Sequence, residues 1–144
     1  MRSTASLYET DFLLWVEQQS AALKDRRWQD LDVPNILEEL DGLASSRRHE
    51  LRSRMRVLLQ HLLKLKYQPA KATGSWKATV RDQRAEIALL LEESPSLRRL
   101  MAQAVANEYP IARENAADET SIVLEKFPSE CPLTLEEILR DPSV

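Results

Sequence analysis

The stretch DVPNILEELDGLASSRRHELRSRMRVLLQHLLKLKY, residues 32–67, keeps one periodicity from end to end. Leu37, Ala44, Leu51, Leu58 and Leu65 recur every seven residues, and Leu40, Met55 and Leu62 join them, so a single apolar seam runs along one helix. Asp32 is an N-cap type of residue, and Pro34 falls in the first turn, where its missing N–H has no intrahelical partner to lose. These signals predict one helix running unbroken from just after Asp32 to about Tyr67. Gly42 lies inside it, at a cost of roughly 1 kcal/mol against alanine, and suggests a bend or a close approach. Leu59 and Leu63 stand beside the seam, where a subunit contact would fall.

On the N-terminal side, Phe12, Trp15, Val16, Gln19 and Leu23 share a face at helical spacing. A helix is expected there, beginning at Ser6, whose spacing to Glu9 makes a capping box, or at Thr10, and ending near Lys24. Trp28 and Leu31 read as a short buried turn in the connection. On the C-terminal side, Pro69 and Gly74 mark a loop, and Ser75 is placed to cap a third helix from Trp76 to about Glu92. Ser94 and Pro95 then have the N-cap and N1 character that opens a fourth helix through Leu97, Met101, Ala104 and Val105. Pro110 should kink or split it. Beyond Thr120 the chain reads as an irregular arm, and Thr134 with Glu137 forms a capping box for a last short helix at Ile138 and Leu139.

Composition agrees with this pattern. The chain has 144 residues, 43% of them hydrophobic and 30% charged, with only 2 glycines. Such a chain fits one domain, residues 1–144, with an all-α fold: a bundle of four main helices, one of them long, an irregular C-terminal arm and a short final helix. A formal charge of -3 argues against a general electrostatic grip on nucleic acid. One cysteine, Cys131, leaves no internal disulfide and no Cys-based zinc site, and fits a reducing compartment. Residues 1–6 lead into a segment broken by Glu9 and Asp11 rather than into the apolar core of a leader, and nothing approaches the ~20 apolar residues of a membrane span. A cytoplasmic protein is expected.

Motifs with known chemistry are missing. Neither His49 nor His61 follows a Glu by three residues, as a carboxylate-bridged di-metal bundle requires. No phosphate-binding glycine loop, His-Glu-x-x-His pair or nucleophile elbow is present. Cys131, between Glu130 and Pro132, has no neighbour in sequence that would lower its pKa. No catalytic residue, metal ligand or cofactor is therefore assigned.

Polar residues within the apolar stripes are the informative anomaly. At 100° per residue, Arg47 and His61 fall in or beside the arc of Leu40, Leu51 and Leu58. Gln83 and Arg84 interrupt the stripe between Val80 and Ile87, and Glu108, Asn115 and Glu119 share the face of Met101 and Ala112. Cations on two helices and anions on a third are expected to meet, either as a salt-bridge network that fixes helix register or as a polar pocket formed by Arg47, His61, Arg84, Glu108 and Glu119. A second candidate is the ridge of Arg48, Arg52 and Arg56, four residues apart, which would contact phosphates or an acidic partner, or pair with surface carboxylates. No aromatic residues interleave with it, which weakens a single-strand reading.

Several short motifs recur in a family. Tyr8-Glu9-Thr10-Asp11-Phe12 with Trp15, Leu31-Asp32 with Asn35 and Glu38-Glu39, and His61-Leu62-Leu63-Lys64 with Tyr67-Gln68-Pro69 come first. Ser75-Trp76, Gln83-Arg84 with Ile87, Ser94-Pro95-Ser96-Leu97, Ala112-Arg113, Phe127-Pro128 and Cys131-Pro132 follow in order. In these the chain resembles the bacterial family catalogued as domain of unknown function 29, over nearly its whole length. The resemblance implies a helical domain and transfers no activity, catalytic residue or cofactor; it adds Arg113 to His61 and Arg84 as positions of interest. Three functions stay open. The leading one is a non-enzymatic interaction module with a protein partner, a second copy of itself included. The others are a small polar or anionic ligand or an unfamiliar reaction at the polar cluster, and nucleic-acid contact through the arginine ridge.

Overall fold

The residues that promise a long helix form one. In the computed structural model, which describes residues 6–140, α3 runs without interruption from Val33 to Tyr67. The other helices, in chain order, are α1 (Leu7–Thr10), α2 (Phe12–Lys24), α4 (Gly74–Glu93), α5 (Met101–Thr120) and α6 (Leu135–Leu139). Single-turn 3-10 segments at Trp28–Asp30, Pro69–Lys71 and Leu124–Lys126, and a longer one at Pro95–Leu100, complete the order. The chain is all-α, with no strand among the described residues. The expectation about a leader rests on residues 1–5 and lies outside the described ones.

Caps account for where the helices start. The capping box expected at Ser6 does not form, because Ser6 makes no side-chain cap bond. Asp11 breaks the helix instead and accepts the Leu14 N–H at 3.1 Å, restarting it as α2. Thr73, not Ser75, caps α4 by accepting the Trp76 N–H at 3.2 Å. Ser94 and Pro95 open a 3-10 segment, and α5 begins only at Met101. Pro110 lies inside α5, which continues past it. Thr134 accepts the Glu137 N–H at 3.2 Å, the expected cap of the last helix.

The chain groups into two compact units, residues 1–45 and 46–144, with α3 contributing to both. In the N-terminal unit the rings of Tyr8, Phe12 and Trp15 cluster, with centroids 4.8 to 5.8 Å apart. Asp32 ties the unit together: its carboxylate accepts Trp15 Nε1–H at 3.0 Å and Asn35 Nδ2–H at 2.7 Å, and its backbone N–H donates to Gln19 Oε1 at 2.7 Å. Those hydrogen bonds, Asn35 first, hold the Asp32 carboxyl below the usual carboxylate range, against the opposing pull of burial. Tyr8 donates its hydroxyl to Glu39 at 2.5 Å, which together with burial and the nearby carboxylates pushes the phenol up to about 12. Trp28, expected to be buried, is 60% exposed.

In the C-terminal unit Leu51, Met55, Leu58, Leu59 and Leu63 of α3 bury against Ile87, Leu90 and Leu91 of α4 and Met101, Ala104 and Ala112 of α5. Leu59 and Leu63 are fully buried, so the subunit contact expected at them is corrected. The cause is helical drift. A straight helix turns about 20° per heptad away from a seven-residue repeat, so by Leu65 the seam has rotated to the edge of the core and Leu59 and Leu63 have entered it. The arm is anchored by Phe127, buried and edge-on to Tyr67 at 5.1 Å, and by Ile138.

Candidate functional site

The polar stripe residues meet partners, but in separate places. Glu108, on α5 and fully buried, receives Arg52 Nε–H on one oxygen and Arg56 Nε–H on the other, each at 2.8 Å. Burial alone would raise its carboxyl; the bonds from Arg56 and Arg52 outweigh that and hold it below the ordinary carboxylate range. Glu119 instead accepts Lys64 Nζ at 2.6 Å, and that bond, with smaller help from Gln60 and His61, keeps its carboxyl low. Lys64 is itself buried, and its ammonium lies 4.3 Å from the centroid of the Trp76 ring. Arg47 pairs with Glu93 of α4 at 3.1 Å on the exposed side.

Arg84 and Arg113, the two arginines named by the resemblance, hold the C-terminal arm. Arg84 donates Nε–H to the Ile138 carbonyl at 2.8 Å and Nη2–H to that of Glu137 at 2.9 Å. Arg113 donates to the carbonyls of Phe127 and Leu124 at 2.8 to 3.1 Å. The Glu137 and Ile138 carbonyls lie in the last turn of α6, where helix carbonyls lack intrahelical partners, and those of Leu124 and Phe127 lie in the arm, so a planar guanidinium with several donors suits the task. Tyr109 adds a hydroxyl bond to the Pro128 carbonyl at 2.5 Å, and burial pushes that phenol up to about 12.

The expected convergence of Arg47, His61, Arg84, Glu108 and Glu119 is thus corrected. His61 bonds through Nδ1 to the Val57 carbonyl at 2.9 Å, and it neighbours Glu119 but not Glu108's arginine pair. The five spread over four contacts, because a shared stripe says which way a side chain faces and not which neighbour it meets. The arginine ridge changes as well: Arg52 and Arg56 lie against α5 and are engaged by Glu108. Lys64 was overlooked among the ion-pair candidates, although it follows His61 by three residues, a helix-neighbour spacing. Cys131 is half-buried, and burial pushes its thiol up, away from a reactive thiolate. Among the described residues no three His, Cys, Asp or Glu side chains gather as metal ligands would.

A different feature stands out in residues 6–45. That unit buries only Trp15 and Ala22, and it leaves Phe12, Leu13, Leu14, Leu23, Trp28, Val33, Leu37, Leu40 and Leu43 exposed. On α3 the open stripe is continuous: at 100° per residue, Val33, Leu37, Leu40 and Ala44 fall within the arc that Leu51, Met55 and Leu58 occupy further along. The same stripe that α4 and α5 cover after Leu51 is therefore uncovered before it, with Leu37 and Leu40 each 54% and Leu43 67% exposed. Every residue from 40 to 49 is exposed. A Cβ added at Gly42 would meet nothing within 4 Å, so close packing is not the reason for that glycine.

Among the described residues no helix is long and apolar enough to cross a membrane. No curated protein and no solved structure matches the chain. A family model described as "Domain of unknown function DUF29" matches residues 7–142, nearly all of the sequence, and the chain belongs to that family.

Proposed function

We propose that the protein is a non-enzymatic interaction module that docks through the open apolar stripe of its N-terminal helical unit, and that the occupant is the same stripe of a second copy. One observation carries this reading: nine large apolar side chains stand exposed within residues 12–43, while the unit buries two. Four of them, Val33, Leu37, Leu40 and Leu43, stand on α3 at 50–67% exposure, an apolar stripe of the kind that marks a protein–protein contact.

Two features favour a second copy. The spacing of Leu37, Leu40 and Ala44 is that of a helix-pairing seam, so the partner surface is itself a helix with an apolar stripe. Charge along α3 also reverses, from Glu38, Glu39 and Asp41 to Arg47 and Arg48. An antiparallel pair centred near Gly42 sets the acidic end of each helix beside the basic end of the other. The single cysteine fits a reducing, cytoplasmic setting.

Sedimentation velocity across a concentration series tests this. The intact chain is expected to shift from monomer to dimer, and Leu40→Glu to weaken association at least about tenfold, because a carboxylate would be buried in the seam. A strict monomer at high concentration, or a dimer indifferent to Leu40→Glu, overturns the proposal.

A further inference from the structure

A half-open cavity of about 150 Å³ lies between the second half of α3 and α5. Leu51 and Ala104, both buried, and the half-buried Leu100 give it an apolar wall, and the exposed Arg48, Arg52 and Gln103 border it. Its size is that of a cavity able to hold a benzene ring, and its wall is mostly apolar, with polar groups at the border. The charge at the border is the second feature. Arg52 and Arg56 share the one carboxylate of Glu108, so that trio carries an uncompensated positive charge. Arg52 gives only its Nε–H to Glu108, which leaves its Nη hydrogens for a further acceptor while Glu108 holds the guanidinium in place.

We propose that this cavity binds a small organic monocarboxylate, with a compact apolar body against Leu51, Leu100 and Ala104 and the carboxylate on Arg52. Arg52 meets two demands at once: its Nε–H fixes it to Glu108, and it lines the cavity with Nη hydrogens to donate. An uncharged molecule of the same shape gains the apolar contact alone, and a cation is repelled. The site is separate from the N-terminal stripe, so it stands whether or not the chain dimerises.

Methyl NMR of the full-length protein provides the test, with benzoate, benzyl alcohol and benzylamine as probes. Benzoate is expected to shift the Leu51 and Leu100 methyl signals with a millimolar dissociation constant, benzyl alcohol to bind at least about tenfold more weakly, and benzylamine not to bind. Ala104→Leu fills the cavity and is expected to remove binding. Arg52→Lys keeps the charge but not the fork, tests the site without adding bulk, and is expected to weaken benzoate about tenfold while benzyl alcohol is unchanged. The proposal is overturned if about 20 mM benzoate leaves those methyls unmoved, if benzyl alcohol equals benzoate, or if both variants bind as the parent does.

Discussion

Replacing Glu108 by Gln removes a buried negative charge and keeps the shape of the side chain. In the parent each carboxylate oxygen accepts one guanidinium N–H at 2.8 Å. The amide retains one acceptor oxygen and turns an NH₂ toward the other arginine, so one charge-assisted bond is lost and two donors are set against each other. A bond of that kind contributes about 1.5–3 kcal/mol, and breaking a fully buried pair costs about 3–5. The arginine side chains here are 49% and 38% exposed, so they can rehydrate, and the expected loss falls to roughly 2–3 kcal/mol at neutral pH. Its pH dependence gives the sharper test. Because folding lowers the Glu108 carboxyl, its contribution is fully present above the ordinary carboxylate pKa of 4.5 and is lost as pH falls through the folded value. Urea unfolding followed by circular dichroism should therefore show a gap between parent and Glu108→Gln that is wide at pH 7 and closes in acid. A gap below about 0.5 kcal/mol at pH 7, or one that persists unchanged in strong acid, would refute the reasoning.

Three further outcomes follow from the geometry. Gly42→Ala should raise stability by about 0.5–1 kcal/mol, read as a higher melting temperature, since the added methyl meets no neighbour and the helix interior gains propensity; a loss would reveal a contact at that position. Arg113→Lys should leave the helices intact but speed amide exchange across residues 122–133 about tenfold, since an ammonium cannot hold the Leu124 and Phe127 carbonyls together as a guanidinium does. Lys64→Met should lower stability by about 1–3 kcal/mol and reduce it less in acid, where Glu119 is neutral and no longer needs its partner; equal losses at both pH values would deny the pair that role.

The parts of this fold that are legible in sequence are those set by local chemistry. The α3 helix follows from its periodicity, and the cap at Thr134 from one hydroxyl three residues before a glutamate. Start points elsewhere moved by a few residues because several side chains competed for each cap: Asp11 won over Ser6, and Thr73 over Ser75. The polar stripe was legible as a set of faces and not as a set of pairs. Angles around a helix do not give its axial offset against a neighbour, which decides that Glu108 meets Arg52 and Arg56 while Glu119 meets Lys64. The roles of Arg84 and Arg113 lay further from view, since their acceptors are backbone carbonyls that every residue carries. The open stripe at Leu37 and Leu40 was hidden for the opposite reason: its pattern matches that of the covered stripe beyond Leu51, and only coordinates show where the covering helices stop.

The claim that this stripe meets its own copy is tested most directly by placing one cysteine beside it. Asp41→Cys in a Cys131→Ser background puts a thiol at the flank of the stripe and near the centre of an antiparallel pair. A short bismaleimide should then join two chains at low protein concentration, and adding Leu40→Glu should suppress the product. A chain that stays uncrosslinked at concentrations where the account requires a dimer, or a crosslink that survives Leu40→Glu unchanged, would contradict it.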